Sequence, residues 1–325
     1  MRGYITRRLL MLIPTVLMVS FAIFFLVKLV PGDIVDALQT TIADVAIDKE
    51  ALRLEFGLNS PLIVQYGRWL GVAPQPDGGF SGIFQGNLGV SWFSKVPVLE
   101  LVAMKWPVTL ELGLMGLIIG QLIALPIGIY SGLRQDTWGD YLGRTFAILC
   151  ISVPGFWIGT MVIVFPSIWW GYMPSIMLIP FTEDPIGNLR MFIMPAVVLG
   201  MALGGGTMRM TRTMMLEVLR QDYIRTAWAK GLRERVVVVR HALKNALIPV
   251  ITVIGFQLPV MIGGTVIIEQ IFCLPGMGRL IVEATLYRDY PVISGIMVLF
   301  SVGLVFINLI VDLAYGVLDP RVHYK

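Results

Sequence analysis

Six long apolar runs constrain this chain more than any other feature. They extend roughly over Leu9–Val30, Pro107–Leu133, Thr145–Trp170, Met191–Met208, Ile248–Ile268 and Val292–Leu318. An α-helix rises about 1.5 Å per residue, so ~20 apolar residues cross a ~30 Å hydrocarbon core. Water is absent from that core, and a helix satisfies its backbone N–H and C=O groups within the segment itself. Composition agrees: 56% of the 325 residues are apolar before the 34 glycines are counted, and 14% are charged. A soluble domain has about a quarter of its residues charged. The expected fold is an all-α integral membrane protein with six transmembrane helices.

Charge placement gives the orientation. Arg2, Arg7 and Arg8 precede the first run, which is longer than the apolar core of a secretory signal and lacks an Ala-x-Ala cleavage pattern. It reads as a retained first helix. Segments 1–8, 134–144, 209–247 and 319–325 hold 16 Lys or Arg against 6 acids. Segments 31–106, 171–190 and 269–290 hold 8 against 13. Cytoplasmic loops are the basic ones, so both termini are expected in the cytoplasm. The net charge of +4 is then topology, and no nucleic-acid partner is expected. Two cysteines, Cys150 and Cys273, cannot build a disulfide framework, and two histidines, His241 and His323, cannot supply a multi-histidine metal site.

The runs divide the chain into four parts: 1–30, N-terminus and first span; 31–106, an extracytoplasmic insertion; 107–318, five further spans carrying the loop 209–247; and 319–325, a cytoplasmic tail. The insertion reads as small and mostly helical. Ile47, Ala51, Leu54 and Leu58 recur at helical spacing with Gly57 as a stop, Ser60-Pro61 reads as an N-cap with proline at the first helical position, and 71–92 reads as irregular loop.

The loop 209–247 holds nine basic residues: Arg209, Arg212, Arg220, Arg225, Lys230, Arg233, Arg235, Arg240 and Lys244. Topology and anionic lipid headgroups account for their sign but not for the loop's length, since a connector needs only a handful of residues. Tyr223, Ala227 and Gly231 recur every four residues, followed by Leu232. A small-residue face of this kind suits the docking of a cytoplasmic partner.

In the second span Gly116, Gly120, Ala124, Gly128 and Gly132 stand four apart, the small-xxx-small pattern that lets helices pack backbone to backbone. It fits packing inside one subunit, a subunit interface or a sliding gate. Charges within the spans are few: Lys28, Glu111 and Asp312 lie near span ends. No proton-relay chain, arginine ladder, Gly-x-Ser-x-Gly, His-Glu-x-x-His or phosphate-binding loop is present. Pro249, Pro259, Gly263 and Gly264 are expected to kink or loosen the fifth span, and His241 reads as a surface side chain. The residues describe a membrane bundle with a basic docking loop and no engine of its own. An ion-gradient-driven carrier predicts inverted repeats and buried ionisable groups, and neither is visible.

Residues Asp222 to Leu232, Asp-Tyr-Ile-Arg-Thr-Ala-Trp-Ala-Lys-Gly-Leu, followed by His241-Ala242-Leu243-Lys244-Asn245-Ala246-Leu247-Ile248-Pro249, resemble the cytoplasmic loop of bacterial dipeptide/oligopeptide ABC importer permeases. Further matches are Arg7-Arg8-Leu9, Pro31-Gly32-Asp33, Phe56-Gly57-Leu58, Pro61-Leu62, Leu274 to Leu280, Arg288-Asp289-Tyr290-Pro291 and Asp319-Pro320-Arg321. Arg225-Thr226-Ala227 stands where the wider group of importers has Glu-Ala-Ala, and Ile-x-Leu-Pro is absent at its usual spacing.

The resemblance implies a type I ABC importer permease bundle in the bacterial inner membrane. It also implies a second homologous permease, two cytoplasmic ATPase subunits and an extracytoplasmic substrate-binding protein, with ATP and Mg held by the ATPases. Tyr223, Arg225, Thr226, Ala227, Lys230, Gly231 and Leu232 would belong to the coupling segment that meets the ATPase. The cargo would be di- or oligopeptides or a related solute such as glutathione, an opine, a nickel chelate or an oligosaccharide.

Overall fold

The computed structural model describes residues 2–29, 35, 48–55, 57–76, 78–173, 175 and 177–318. Pro31-Gly32-Asp33, Ile47, Phe56, Asp319-Pro320-Arg321 and His323 lie outside the described residues. In chain order the helices are α1 (Arg2–Lys28), α2 (Lys49–Glu55), α3 (Leu62–Leu70), α4 (Val98–Leu133), α5 (Trp138–Ser152) and α6 (Gly155–Trp170). There follow α7 (Pro185–Leu219), α8 (Asp222–Ala229), α9 (Lys244–Ile271), α10 (Met277–Leu286) and α11 (Tyr290–Leu318). Among the described residues the only β pairing is a single bridge, Val90 to Pro97.

Five helical stretches are long and apolar enough to cross a membrane: α1, α4, α7, the stretch from Glu234 into α9, and α11. The expected third span, Thr145–Trp170, is not one helix. It is α5 and α6, bent by 98° at the break between them, and it completes six spans when the pair is taken together. Pro154 causes the break. Proline has no N–H to donate and disfavours helical backbone in the residue before it, and Val153 accordingly sits at φ −85°, ψ 124°. Pro249 and Pro259, by contrast, lie inside an unbroken α9. The irregular turn is upstream of both, a π-helical segment at Val237–Leu243.

The chain forms two compact units, residues 1–107 with 276–306 and residues 108–275 with 307–325. In the first, α1 and α3 share an aromatic cluster: Phe24 lies 5.7 Å from Trp69, and Phe21 meets Tyr66 edge-on at 5.6 Å. Leu88, Val98, Val102, Met277, Tyr290 and Ile296 form its core. The start of α2 is fixed by Asp48, whose Oδ1 accepts from the N–H groups of Glu50 and Ala51 at 3.1 Å. After it Gly57 adopts φ +64°, a left-handed turn that glycine enters without a Cβ penalty. Ser60 does not cap α3. Pro61 takes the N-cap position without a side-chain bond, and the Ser60 hydroxyl accepts from Arg68 Nη1 at 2.9 Å.

In the second unit α7 is the central helix. Phe192, Ala196, Leu199 and Leu203 on α7 pack with Leu112 of α4 and with Ile268, Phe272 and Leu274 at the end of α9 and beyond. Asp184 caps α7, its Oδ1 accepting from the N–H groups of Ile186 at 3.1 Å and Gly187 at 3.0 Å.

Candidate functional site

The 209–247 segment is mostly structured. Its first part continues α7 to Leu219, which places Arg209 and Arg212 on a helix. Arg212 is thereby withdrawn from the basic docking set. Its Nε and Nη2 donate to Asp140 Oδ1 and Oδ2, each at 2.7 Å, and the Asp140 side chain is fully buried. Asp140 also accepts from the Asp136 N–H at 3.0 Å, and its own N–H is directed at Thr137 Oγ1, 3.4 Å away at the start of α5. Glu234 pairs with Arg134 at 3.3 Å, at exposed positions.

After Leu219 the chain turns into α8, two turns of helix with a clear division of faces. Ile224 and Ala227, three residues apart on one side, are buried with Met215, Val237, Val238, Ala242 and Ala246. Tyr223, Arg225, Thr226, Trp228, Lys230 and Leu232 are exposed. The Tyr223 hydroxyl accepts from Asn245 Nδ2 at 2.9 Å, which ties α8 to the first turn of α9. Arg225 pairs with Asp222 at 3.2 Å, and Thr226 Oγ1 donates to the Asp222 carbonyl at 2.9 Å.

Two expectations change here. Tyr223, Ala227 and Gly231 do not share one face, because Ala227 is a core residue and Gly231 lies past the helix end. Gly231 has φ +75°; its N–H donates to the Trp228 carbonyl at 2.9 Å, and that of Leu232 donates to the Ala227 carbonyl at 3.4 Å. This is a glycine C-terminus in the left-handed conformation. A Cβ on Gly231 would meet nothing within 4 Å. Its glycine is required by backbone conformation, not by the crowding of a neighbour.

The small-residue stripe of α4 lies against α7 of the same chain. A Cβ on Gly120 would stand 2.7 Å from the Gly200 carbonyl oxygen, and one on Gly200 would stand 2.7 Å from that of Gly116. Further along, Gly128 faces Thr211 and the Met208 carbonyl, and Gly132 faces Met215. Ala124 is fully buried. At Gly120 and Gly128 an added Cβ would meet a backbone carbonyl of α7 within 3 Å, whereas at Gly116 and Gly132 it would meet the side chains of Leu199 and Met215.

Polar groups cross the interior of the same bundle. Gln257 of α9 donates through Nε2 to the Leu203 carbonyl and to Thr207 Oγ1, both at 2.9 Å, and accepts from Gln121 Nε2 at 2.9 Å. Glu269, fully buried near the end of α9, accepts from Thr109 Oγ1 at 2.8 Å. Sequence reasoning ended the fifth span at Ile268 and so missed this carboxylate inside the helix.

The family described as "Binding-protein-dependent transport system inner membrane component" matches residues 124–324, and its N-terminal companion matches residues 1–113. The chain belongs to this family. It is a multi-pass inner-membrane permease of the ABC importer type. A Brucella suis biovar 1 protein named as a peptide transport system permease is 40% identical over 326 residues, covering all of both chains. The oligopeptide transport system permease protein AppB of Bacillus subtilis is 39% identical over 327 residues, again covering both fully. The glutathione transport system permease protein GsiC of Pectobacterium atrosepticum is 36% identical over 325 residues, with full coverage of both. A solved structure titled "Crystal structure of an amino acid ABC transporter with histidines" matches with a TM-score of 0.54 and 15% identity, over 70% of this chain and 99% of that one. At that identity the likeness concerns the permease fold.

Several contacts in this permease carry no local sequence signal. Asp140 and Arg212 are 72 positions apart. Asp289, which is buried, accepts from Ser91 Oγ at 2.5 Å and from the N–H groups of Trp92 at 3.1 Å and Phe93 at 3.4 Å, almost 200 positions away. Ile224, Ala227 and Trp228 stand at i, i+3 and i+4, the spacing of one helix face, yet Trp228 is 44% exposed while the other two are buried, so spacing alone does not set it apart.

Proposed function

We propose that this permease forms the translocation path of an ATP-driven importer for di- or oligopeptides or a related small solute, together with a second homologous permease. The observation that carries the cargo class is the full-length relation, at 36–40% identity, to permeases named for peptide, oligopeptide and glutathione transport. In this reading both termini and the α8 segment lie in the cytoplasm, as supported by the excess of Lys and Arg in those segments. The insertion 31–106 and the segment 269–290 then face the extracytoplasmic binding protein.

Two ATPase subunits bind ATP and Mg, and this chain supplies no ATP site; the absence of a phosphate-binding loop from its sequence supports that division. The exposed side of α8, with Tyr223, Arg225, Thr226 and Trp228, and the residues Lys230 to Leu232 that follow it, is the surface offered to an ATPase. Ile224 and Ala227 seat the helix on the bundle, so a push on the exposed side is transmitted to α7 and α9 through their shared core. Transport proceeds by alternating access. ATP drives it by binding more favourably to one arrangement of the assembly than to the other, as any ligand that shifts an equilibrium must. The tight contact of α4 with α7 makes these helices move as a unit.

The test is purification of the assembly through a tag on this chain, reconstitution into vesicles, and measurement of peptide uptake with and without ATP and the binding protein. Uptake that requires both is expected. Uptake by this chain alone, without ATP, would sink the proposal in favour of a gradient-driven carrier.

A further inference from the structure

A cavity of about 320 Å³ lies between α4, α5 and α7, within the size range of small-molecule sites. Its lining joins two kinds of surface. Arg144, Arg209, Arg212, Ser131 and Thr213 supply the polar part; Ile127, Ile148, Ile151 and Met208 supply apolar walls. No carboxylate lines it. Arg212 is already neutralised by Asp140. Among the described residues no ion pair joins a carboxylate to Arg144 or Arg209, and Asp140, one helical turn before Arg144, is shared between Arg212 and the longer-range charge of Arg144. Arg144 lies over the Tyr141 ring, 5.5 Å from its centroid, a contact that orients the guanidinium without cancelling its charge.

Ser131 is the independent observation. It is 2% exposed, and its hydroxyl has no hydrogen-bond partner. A buried hydroxyl left unpaired costs on the order of 1–3 kcal/mol, which an acceptor entering the cavity would recover. Gly143 stands beside it, where a Cβ would fall 2.5 Å from the Ser131 oxygen. Any side chain at position 143 would close off the hydroxyl. Around the cavity α5 exposes Trp138, Tyr141, Leu142 and Ile148, a surface suited to the edge of a bilayer, where aromatic rings collect.

We infer that this cavity holds the phosphate group of an anionic phospholipid, with Arg144 and Arg209 as its cationic contacts, Ser131 as a hydroxyl donor, and an acyl chain along Ile148 and Ile151. A free phosphate ion would satisfy the arginines and Ser131 but leave the apolar walls uncovered. Basic pockets between transmembrane helices recognise headgroups by this combination of charge and adjoining apolar surface.

The experiment is native mass spectrometry of the full-length chain offered equal amounts of phosphatidylglycerol and phosphatidylcholine with matched acyl chains. Preferential retention of phosphatidylglycerol is expected, falling by about thirtyfold in R144Q/R209Q, the worth of two arginines at an anionic surface. R209Q alone, at an exposed position, is expected to lose about fivefold with unchanged thermal unfolding. Millimolar inorganic phosphate should leave the adducts in place. Equal retention of the two lipids, no loss in R144Q/R209Q, or displacement by inorganic phosphate would each overturn the assignment. So would a photo-crosslinker at Ile148 that captures a protein chain instead of lipid in native membranes.

Discussion

Asp140 and Arg212 meet in a two-point ion pair, both contacts at 2.7 Å, that fastens the start of α5 to α7. The carboxylate is fully buried and the guanidinium one-fifth exposed. Removing one partner from such a pair leaves the other charge desolvated, which costs more than the pair itself contributes. Arg212→Ala is expected to lose about 3 kcal/mol. Arg212→Lys keeps the charge but not the fork and should lose part of that. Replacing both residues together, as Asp140→Leu with Arg212→Met, should recover most of the loss. Denaturant unfolding in detergent of the parent, Asp140→Leu, Arg212→Met and the double variant closes the cycle; additive single losses would show that the two groups do not act together.

Contact between α4 and α7 gives a second expectation, with a built-in control. Gly120→Ala places a Cβ 2.7 Å from the Gly200 carbonyl, and backbone cannot swing aside as a side chain can. The cost expected is about 1–3 kcal/mol, with lower uptake in vesicles. Gly206→Ala lies on the same helix α7, where the new Cβ meets nothing within 4 Å. That variant should be neutral or more stable by up to about 1 kcal/mol, because alanine loses less backbone freedom on forming a helix. Equal behaviour of the two variants in thermal unfolding would contradict the close approach.

Asp289 precedes α11 and holds the loop at Ser91 to Phe93 through three hydrogen bonds. Asp289→Ala deletes every acceptor and leaves the Ser91 hydroxyl buried, a loss of about 2 kcal/mol. The loop itself should open first. Limited proteolysis is expected to cut near Lys95 in D289A and not in the parent chain. Asp289→Asn, which keeps one acceptor oxygen, should fall between them.

The sequence disclosed the helical elements more readily than their joints. Apolar length alone located five of the spans, since a backbone in hydrocarbon has few alternatives to a helix. The α5–α6 break falls inside the run Thr145–Trp170, which apolar length alone treats as one span, although the effect of Pro154 on Val153 follows from proline's ring. Residue type alone makes Ser60 a cap, whereas in the structure its hydroxyl accepts from Arg68. Asp140–Arg212, Thr109–Glu269 and Ser91–Asp289 had no signal at all in a single sequence. Each joins residues that only folding brings together, and a charge count treats Arg212 the same as Arg225.

At the proposed ATPase contact the structure separates two roles that the motif merges. Gly231 ends α8 at φ +75° with open space beyond its Cα. Gly231→Ala is therefore expected to cost about 1–2 kcal/mol through left-handed backbone alone, and Gly231→Asn less, since asparagine tolerates that conformation. Trp228 is 44% exposed on α8 and lies outside the buried cluster that holds Ile224 and Ala227. Trp228→Ala should leave thermal unfolding within about 0.5 kcal/mol of the parent. In assembled vesicles it should nevertheless lower ATP-driven uptake at least about tenfold, because exposed tryptophans at interfaces carry a large share of binding energy. Uptake and ATPase rates measured side by side for G231N and W228A decide the matter. Loss of transport in G231N with full activity in W228A would move the contact away from the exposed side of α8.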